Sequence, residues 1–234
     1  MNDLRTALGL LTIFPVRYVK ISAGALGLYP AIGLFIGAML VTAHFLLRLA
    51  LPNLVAAVLV AVLWVIITGG LHLDGFADAC DALFAATTRE RRLEILRDVH
   101  LGTFGAAGLM LLLMLKVATV ADTAVESLFL APILGRWAIV FAATFPLARR
   151  EGMAATFIAG LSRREILLAT MIAVLCCVIL GWLGLAAFVG AAMIAGLVAL
   201  FALNRLGGLT GDIYGMICES VEVGVLLIGC ARVW

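Results

Sequence analysis

The stretch NLVAAVLVAVLWVIITGGLHLDGFADACDALF (residues 53–84) joins an apolar half to an acidic half. The first half, Asn53–Thr68, carries no charge at all. The second half carries three aspartates, Asp74, Asp78 and Asp81. An uncharged apolar run is typical of a helix in lipid, whereas carboxylates next to lipid are costly and tend to mark function. The stretch therefore predicts a membrane helix that leads directly into a polar site.

The composition of the whole chain extends this prediction to the fold. Of the 234 residues, 65% are hydrophobic and 13% are charged. A soluble domain has about half apolar and about a quarter charged residues. We therefore predict an all-α fold, a polytopic transmembrane helix bundle of about six or seven spans that forms a single integral membrane domain over residues 1–234.

Hydropathy locates the predicted spans. They are residues 24–47, 53–71, 102–121, 128–147, 166–184 and 186–203, with a weaker seventh at 221–234. The connection at about 72–101 is the longest and carries both acidic and basic residues. Within it, TTRERRLEILRDVH (residues 87–100) predicts a short surface helix that Thr87 or Thr88 can cap.

Basic residues are concentrated in alternate connections. On one side they are Arg5, Arg17, Lys20, Arg89, Arg91, Arg92, Arg97, Arg149, Arg150, Arg163, Arg164 and Arg205. The opposite connections hold Arg48 and the acids Asp122 and Glu126. An excess of Lys and Arg marks the cytoplasmic side. The N-terminus and the 72–101 connection are therefore predicted to be cytoplasmic, and a seventh span would leave the C-terminus outside.

Two classes of partner are not indicated by the sequence. The formal net charge is only +2, and no basic run alternates with aromatic residues, so no nucleic-acid partner is predicted. The five cysteines do not form paired CxxC motifs, which argues against a zinc site. The predicted partner is instead the lipid bilayer, and a homo-oligomer is left open.

The three aspartates of the opening stretch are spaced for one helical face. Asp74, Asp78 and Asp81 lie at positions i, i+4 and i+7. Like charges on one face repel each other, and a divalent cation would convert that repulsion into coordination. Mg²⁺ prefers carboxylate oxygens and usually shares its ligand sphere with substrate phosphates. The alternative is that the three residues are only solvated side chains of a loop.

A second segment partly repeats the first. GGLTGDIYGMICES (residues 207–220) places Asp212 where GGLHLDGFADACDA has Asp74, and Glu219 where it has Asp81. Both segments follow an even-numbered predicted span, so both emerge at the same membrane face. We hypothesise that two acidic helix starts face each other and hold a metal ion between them. A chance match among common residue types is the alternative.

Other polar residues in apolar surroundings are candidates for substrate binding. Arg136 lies deep in the fourth predicted span, where it either contacts an anionic substrate group or forms a structural ion pair. Lys116 is predicted to extend toward the outer interface. Arg149 and Arg150 follow the fourth span and could bind phosphate. His72, two residues before Asp74, is a minor candidate.

Several of these motifs together resemble one known family. They are LLTIFPV (10–16), GGLHLDGFADACDALF (69–84), RERRLEILRDVHLGTFG (89–105), GRWA (135–138), PLARREG (146–152) and RLGGLTGDIYG (205–215). The most specific are LHLDGFAD and GGLTGD. Nearly end to end, the chain is similar to the cobalamin synthases, the adenosylcobinamide-GDP ribazoletransferases of the bacterial cytoplasmic (inner) membrane.

This resemblance implies an activity. The family joins α-ribazole, or its 5′-phosphate, to adenosylcobinamide-GDP and releases GMP, giving adenosylcobalamin or its 5′-phosphate. It is Mg²⁺-dependent, which agrees with the carboxylate spacing. A ribose hydroxyl would attack the diphosphate, and Asp78 or Asp81 would accept its proton. The active face would point toward the cytoplasm.

The resemblance also implies site residues. The catalytic residues would be Asp74, Asp78 and Asp81, which would also bind metal. Asp98, in the RD element, and Asp212, in the TGD element, would join them as metal ligands, and the repeat adds Glu219. Gly208 and Thr210 of GGLTGD would contact substrate together with His72, Arg136, Arg149 and Arg150. Cys80 departs from the small residue that the family usually has before the last aspartate.

Two other functions compete with this one. CDP-alcohol phosphotransferases also use aspartates at a membrane face, but their signature is DxxDGxxAR. Here Leu71 stands three residues before Asp74, and no Ala-Arg follows. An ion or corrinoid transporter would place coupling acids near the membrane midplane on broken helices, whereas these acids are predicted at span ends.

Overall fold

The computed structural model describes residues 2–16, 22–149 and 153–231. Over these residues the chain is helical, without strands. The α-helices are α1 (Asn2–Leu11), α2 (Tyr29–Arg48), α3 (Asn53–Thr68), α4 (Leu71–Phe84), α5 (Arg89–Ile95), α6 (Thr103–Asp122), α7 (Val125–Ala142), α8 (Met153–Ile158), α9 (Arg163–Ile179), α10 (Gly181–Leu206) and α11 (Gly211–Cys230). A 3₁₀-helix, Ala23–Leu28, leads into α2. The all-α prediction is confirmed.

The number of candidate spans agrees with the lower end of the prediction. Five helices in the described part are long and apolar enough to cross a membrane, and a sixth is obtained if α3 and α4 together form one span. The prediction was six or seven. At 17 residues, α9 is shorter than these. The last span begins at Gly211 rather than near residue 221, because the acids that lowered its hydropathy are buried inside the protein.

The chain turns sharply between α3 and α4. The two helices meet at 93°, and the turn consists of Gly69 and Gly70, with φ values of 63° and 69°. Residues with side chains rarely adopt this left-handed conformation, so the glycine pair permits the bend. The amide N–H groups of Gly69 and Gly70 donate to carbonyls of the last turn of α3.

The predicted loop at 72–101 is mostly helical, because α4 and α5 occupy much of it. The Thr88 hydroxyl accepts a hydrogen bond from the Arg91 N–H, which confirms the prediction that a threonine caps the short helix. The acidic segment is thus carried by a helix that packs against other helices, and its side chains have fixed directions.

Helix α7 is the centre of the bundle, with α2 and α11 packed along it. A Cβ atom at Gly33 or Gly37 of α2 would collide with carbonyl groups of α7 at Pro132 and Phe129. Small residues at four-residue spacing let two membrane helices approach closely, which explains both glycines.

The two ends of the bundle are held by different contacts. At one end, α6 turns tightly into α7 and meets the end of α11, where the Ala124 N–H donates to Gly229 O and the Thr123 hydroxyl to Leu226 O. At the other end, the segment after α7 pairs with the segment before α11 through an isolated bridge between Leu147 and Leu209. The second end also contains α4 and forms the candidate site.

Candidate active site

The two acidic segments are neighbours in the structure, as the repeat predicted. Helices α4 and α11 cross where both have glycine: a Cβ atom on Gly75 would lie 3.0 Å from the Asp212 Cα atom, and one on Gly215 would lie 2.9 Å from the His72 carbonyl oxygen. Asp74 precedes Gly75 directly in the first turn of α4, and Asp212 lies in the first turn of α11. The glycines therefore bring the two helix starts together.

Backbone pairing fixes the start of α11. Ala148 N–H donates to Leu209 O at 2.9 Å, and Leu209 N–H donates to Pro146 O at 2.9 Å. Gly208 is buried against this segment, and a Cβ atom on it would collide with the backbone of Ala148. Gly208 thus has a packing role that the sequence did not reveal.

The buried hydroxyl of Thr210 donates to the Asp212 Oδ2 atom at 3.1 Å. Thr210 directly precedes α11, and this contact orients the Asp212 carboxylate at the helix start. Thr210, which was predicted to contact substrate, is therefore the hydrogen-bond partner of Asp212, a predicted metal ligand.

Asp74, Asp78 and Asp212 form the acidic part of the site. Asp78 is half-buried and feels the negative charges of Asp74, Asp212 and Asp81. Among the described residues, no basic side chain forms an ion pair with Asp74, Asp78 or Asp212. No group of three metal-ligand side chains is preassembled in the described part. The donor set still fits Mg²⁺, which is usually bound by one or two carboxylates together with water and substrate phosphate.

Asp81 has a structural role. Its Oδ2 atom accepts a hydrogen bond from Gly102 N–H and its Oδ1 atom one from Gly105 N–H, both at 2.8 Å. These N–H groups lie at the start of α6, where the residue before the helix provides no side-chain cap. Asp81 therefore caps α6 from a neighbouring helix and meets the positive end of its dipole. We assign Asp81 to this cap rather than to the metal ligands.

Replacement of Asp81 with alanine is expected to lower the free energy of unfolding by about 1–3 kcal/mol, because two N–H groups at a helix start lose their acceptor. Reversible unfolding in mixed detergent micelles measures this loss. Asp81→Asn, which keeps one acceptor oxygen, should recover part of it. Unchanged stability of Asp81→Ala together with lost activity would instead return Asp81 to the metal ligands.

Asp98 lies apart from the other aspartates, exposed between α5 and α6. Its Oδ1 atom accepts from His100 N–H at 3.1 Å and lies 2.6 Å from His100 Nδ1. Hydrogen bonding from the His100 side chain lowers the pKa of Asp98. In this conformation Asp98 does not join the acidic cluster.

Arg149 is the predicted phosphate ligand that the structure places near the acidic cluster. It is half-buried and donates to the carbonyl oxygen of Leu93. Burial, followed by nearby Arg97, lowers its pKa, while the charge of Asp212 acts in the opposite direction. Arg150 lies outside the described residues.

Four charges are buried together in the middle of the bundle. Lys116 Nζ lies 2.7 Å from Glu219 and 2.5 Å from Glu222, and Arg136 forms an ion pair with Glu222. Each of the four residues is at most 4% exposed. Lys116 also lies 4.0 Å above the Trp64 ring. Two positive and two negative charges therefore compensate one another between α6, α7 and α11.

This network changes three predictions. Lys116 does not extend to the outer interface, because its ammonium group has buried partners. Arg136 takes the structural alternative, with Glu222 as its partner. Glu219 is paired with Lys116 and is not free to bind a metal ion in this arrangement. The sequence did contain a signal for such pairing. One apolar helix has two acids three residues apart, and two other apolar helices each have a base deep inside them.

His72 connects this network to the site. It is buried on α4, and its Nδ1 atom lies 3.6 Å from the Cys218 sulfur. Cys218 in turn lies 3.9 Å from the Glu222 carboxylate. Arg136 and Lys116 also act electrostatically on the imidazole. His72 is thus fixed in place beside the acidic helix start.

A cavity of about 320 Å³ opens at this crossing. Its polar lining includes His72, Asp74 and Asp212, and most of the remaining wall is aliphatic. The lining residues are Leu10, Leu11, Leu26, Tyr29, Leu71, His72, Asp74, Gly75, Ile139, Ala143, Ile158, Gly211, Asp212, Tyr214 and Gly215. The sequence did not point to the two tyrosines or to the contribution of α1. The site can hold a small ligand that is polar at one end and apolar at the other.

Comparison with known proteins identifies the family. A family model described as Cobalamin-5-phosphate synthase matches residues 3–230. The chain belongs to the Cobalamin-5-phosphate synthase family. The match includes both acidic segments and the whole helical core, so the predicted resemblance is confirmed. No solved structure matches the chain.

Three curated relatives of the chain have one name in common. A protein from Stutzerimonas stutzeri is 39% identical, over 97% of each chain. One from Desulforamulus reducens is 34% identical, over 97% of this chain and 95% of its own. One from Roseiflexus sp. is 36% identical, over 94% of this chain and 86% of its own. All three are named adenosylcobinamide-GDP ribazoletransferase. The chain is therefore an enzyme of a transferase family of cobalamin synthesis, with several membrane-spanning helices.

Proposed function

We propose that this enzyme joins α-ribazole, or its 5′-phosphate, to adenosylcobinamide-GDP and releases GMP. The observation that supports this most directly is the cavity at the α4–α11 crossing, because it combines unpaired carboxylates with an apolar wall at the place where the two family motifs meet. A nucleoside acceptor needs both environments. The relatives' names supply the substrates.

We further propose that Asp74, Asp78 and Asp212 hold Mg²⁺. Their charges are close together and lack basic partners among the described residues, which is costly unless a cation binds. Bound Mg²⁺ would neutralise charge on the diphosphate and orient the leaving group. Thr210 would keep the Asp212 carboxylate in position.

Side chains of the site would carry out the other steps of the reaction. A ribose hydroxyl of the acceptor attacks the phosphorus next to the cobinamide, and a new O–P bond forms. The bond between this phosphorus and the bridging oxygen breaks, and that oxygen leaves with GMP. Of the two predicted bases, Asp81 has both oxygens engaged with α6, so we assign the hydroxyl proton to the carboxylate of Asp78. Arg149, beside Asp212, would bind a phosphate oxygen of the substrate.

The test is turnover without a membrane gradient. Purified protein in detergent, given Mg²⁺, adenosylcobinamide-GDP and α-ribazole, should release GMP and form adenosylcobalamin in equal amounts. Chelation of Mg²⁺ should stop the reaction, and restored Mg²⁺ should restart it. Movement of substrate that requires a gradient and yields no GMP would support the transporter alternative. GMP formation at an unchanged rate in chelator would remove the metal from the proposal.

We propose that the active face points into the cytoplasm of a bacterial inner membrane and that the N-terminus lies on the same side. The site end of the bundle holds the arginines of α5, Arg149 after α7, Arg163 and Arg164 at the start of α9, and Arg205 in the last turn of α10. The helix ends at the opposite side hold one arginine, Arg48, and two acids, Asp122 and Glu126. This asymmetry matches the distribution of Lys and Arg in membrane proteins.

Cysteine labelling checks this orientation. In a variant whose native cysteines are replaced, Ala86→Cys at the site end should react with an impermeant maleimide only in inside-out vesicles. Asp122→Cys, at the other end, should react only in intact spheroplasts. Both positions are exposed. The reverse pattern would contradict the proposed orientation.

A further inference from the structure

The cavity has a polar side and an aliphatic side. Asp74 and Asp212 lie where the start of α4 meets the start of α11. Most of the aliphatic wall comes from other elements, including Leu11 of α1, Leu26 of the 3₁₀-helix and Ile139 of α7. A ligand that fills the cavity must therefore present a polar group to the carboxylates and a flat or rounded apolar group to the aliphatic residues.

Two buried phenols border the same cavity. Tyr29 and Tyr214 are 6% and 7% exposed. The Tyr214 hydroxyl is buried and has no hydrogen-bond partner among the described residues. Buried tyrosine hydroxyls usually have a partner, because an unpaired one costs about 1–3 kcal/mol. The Tyr214 phenol is thus available to a ligand, and Tyr29 lies in the same lining.

Resting on the proposed function, we infer that this cavity is the acceptor subsite: it takes the aromatic base of α-ribazole against the aliphatic wall, and the hydroxyl of Tyr29 or Tyr214 donates to the unsubstituted ring nitrogen. The ribose then lies toward Asp74 and Asp212, where its hydroxyl reacts. Tyr29, Tyr214 and the aliphatic wall determine acceptor specificity in this arrangement.

Size and polarity favour the acceptor over the other substrate. A volume of about 320 Å³ is at the lower limit for small-molecule sites, about 300–1000 Å³. It is too small for a corrinoid macrocycle with its side chains. Guanine carries several donors and acceptors along its edge, whereas the wall opposite the carboxylates is mainly aliphatic. A benzimidazole-type base has a large apolar surface and one ring nitrogen that accepts a hydrogen bond.

A steric test fills the cavity. Ala143→Phe adds a ring to the wall at the end of α7, and it should raise the KM for α-ribazole at least 100-fold while the Kd for adenosylcobinamide-GDP, measured by equilibrium binding, stays within about 2-fold. Leu167→Phe adds the same ring on the exposed face of α9 and is the matched control. Monodispersity and melting temperature of both variants establish that they fold.

A chemical test addresses the hydrogen bond without changing the shape of the site. The wild type should use α-ribazole with a KM about 3- to 10-fold below that of the ribosyl indole analogue, in which the accepting ring nitrogen is a C–H group. Tyr29→Phe, Tyr214→Phe or the double variant should abolish this preference. The KM for adenosylcobinamide-GDP should not move.

These outcomes distinguish a failure of the subsite assignment from a failure of the proposed function. An active wild type whose Ala143→Phe variant keeps the wild-type KM for α-ribazole, or instead loses adenosylcobinamide-GDP binding, would overturn the subsite alone. A preference for ring nitrogen that survives in the double tyrosine variant would overturn the hydrogen-bond assignment. A wild type that neither binds α-ribazole nor releases GMP would overturn the proposed function and the subsite with it.

Discussion

Replacement of Asp74 with asparagine is expected to lower kcat for GMP release by about 100- to 10,000-fold. Asparagine has almost the same shape, so the crossing of α4 and α11 at Gly75 should be preserved. What is lost is the negative charge that faces Asp212 across the site, and with it the ability to hold Mg²⁺ and the diphosphate. The rate is measured at saturating substrates over a range of Mg²⁺ concentrations.

The Mg²⁺ dependence distinguishes a ligand from a structural residue. If Asp74 binds the metal, excess Mg²⁺ should recover part of the lost rate, and the melting temperature should not change. Asp122→Asn makes the same chemical change at the opposite end of the bundle and should retain wild-type turnover. Full activity of Asp74→Asn would remove Asp74 from the metal site and weaken the proposed mechanism.

The largest stability effect is expected from Glu222→Gln. Glu222 is fully buried and contacts both Lys116 and Arg136, so its neutralisation leaves two buried cations with only Glu219. Removal of one partner from a buried ion pair costs about 3–5 kcal/mol. We expect the free energy of unfolding, measured in mixed detergent micelles, to fall by about this amount.

A double-mutant cycle tests whether the buried charge network is the cause of this loss of stability. Arg136→Met combined with Glu222→Gln removes one charge of each sign, so the double variant should lose clearly less than the sum of the two single losses. Glu126→Gln, outside the network in the first turn of α7, should change stability by no more than about 0.5 kcal/mol. Additive losses in the double variant would contradict the pairing as the source of stability.

Much of the fold could be predicted because its signals are local. The apolar runs of α6, α7 and α10 are long and contain few charges, so hydropathy located them. The threonine cap of α5 is a short-range hydrogen bond that sequence spacing reveals. The repeat around Asp74 and Asp212 indicated two matching helix starts at one membrane face, and the structure brings them together.

The candidate site was less predictable where one helix changes the role of a residue in another. Asp81 looked like Asp74 in sequence but lies beside the open start of α6, so its oxygens cap that helix. Glu219 was the formal counterpart of Asp81, yet Lys116 lies next to it. No neighbour in sequence carries this information, because each partner comes from a different helix.

The sequence by itself determined that this chain is a helical membrane protein of a cobalamin-synthesis family with acidic segments at two helix starts. Hydropathy, capping and motifs depend on residues that are near one another along the chain. Only the tertiary structure decided which carboxylates remain unpaired and which are neutralised, and where the apolar cavity lies. The reason is physical: the free energy of a buried charge depends on the groups that pack around it, and here those groups come from helices far apart in sequence.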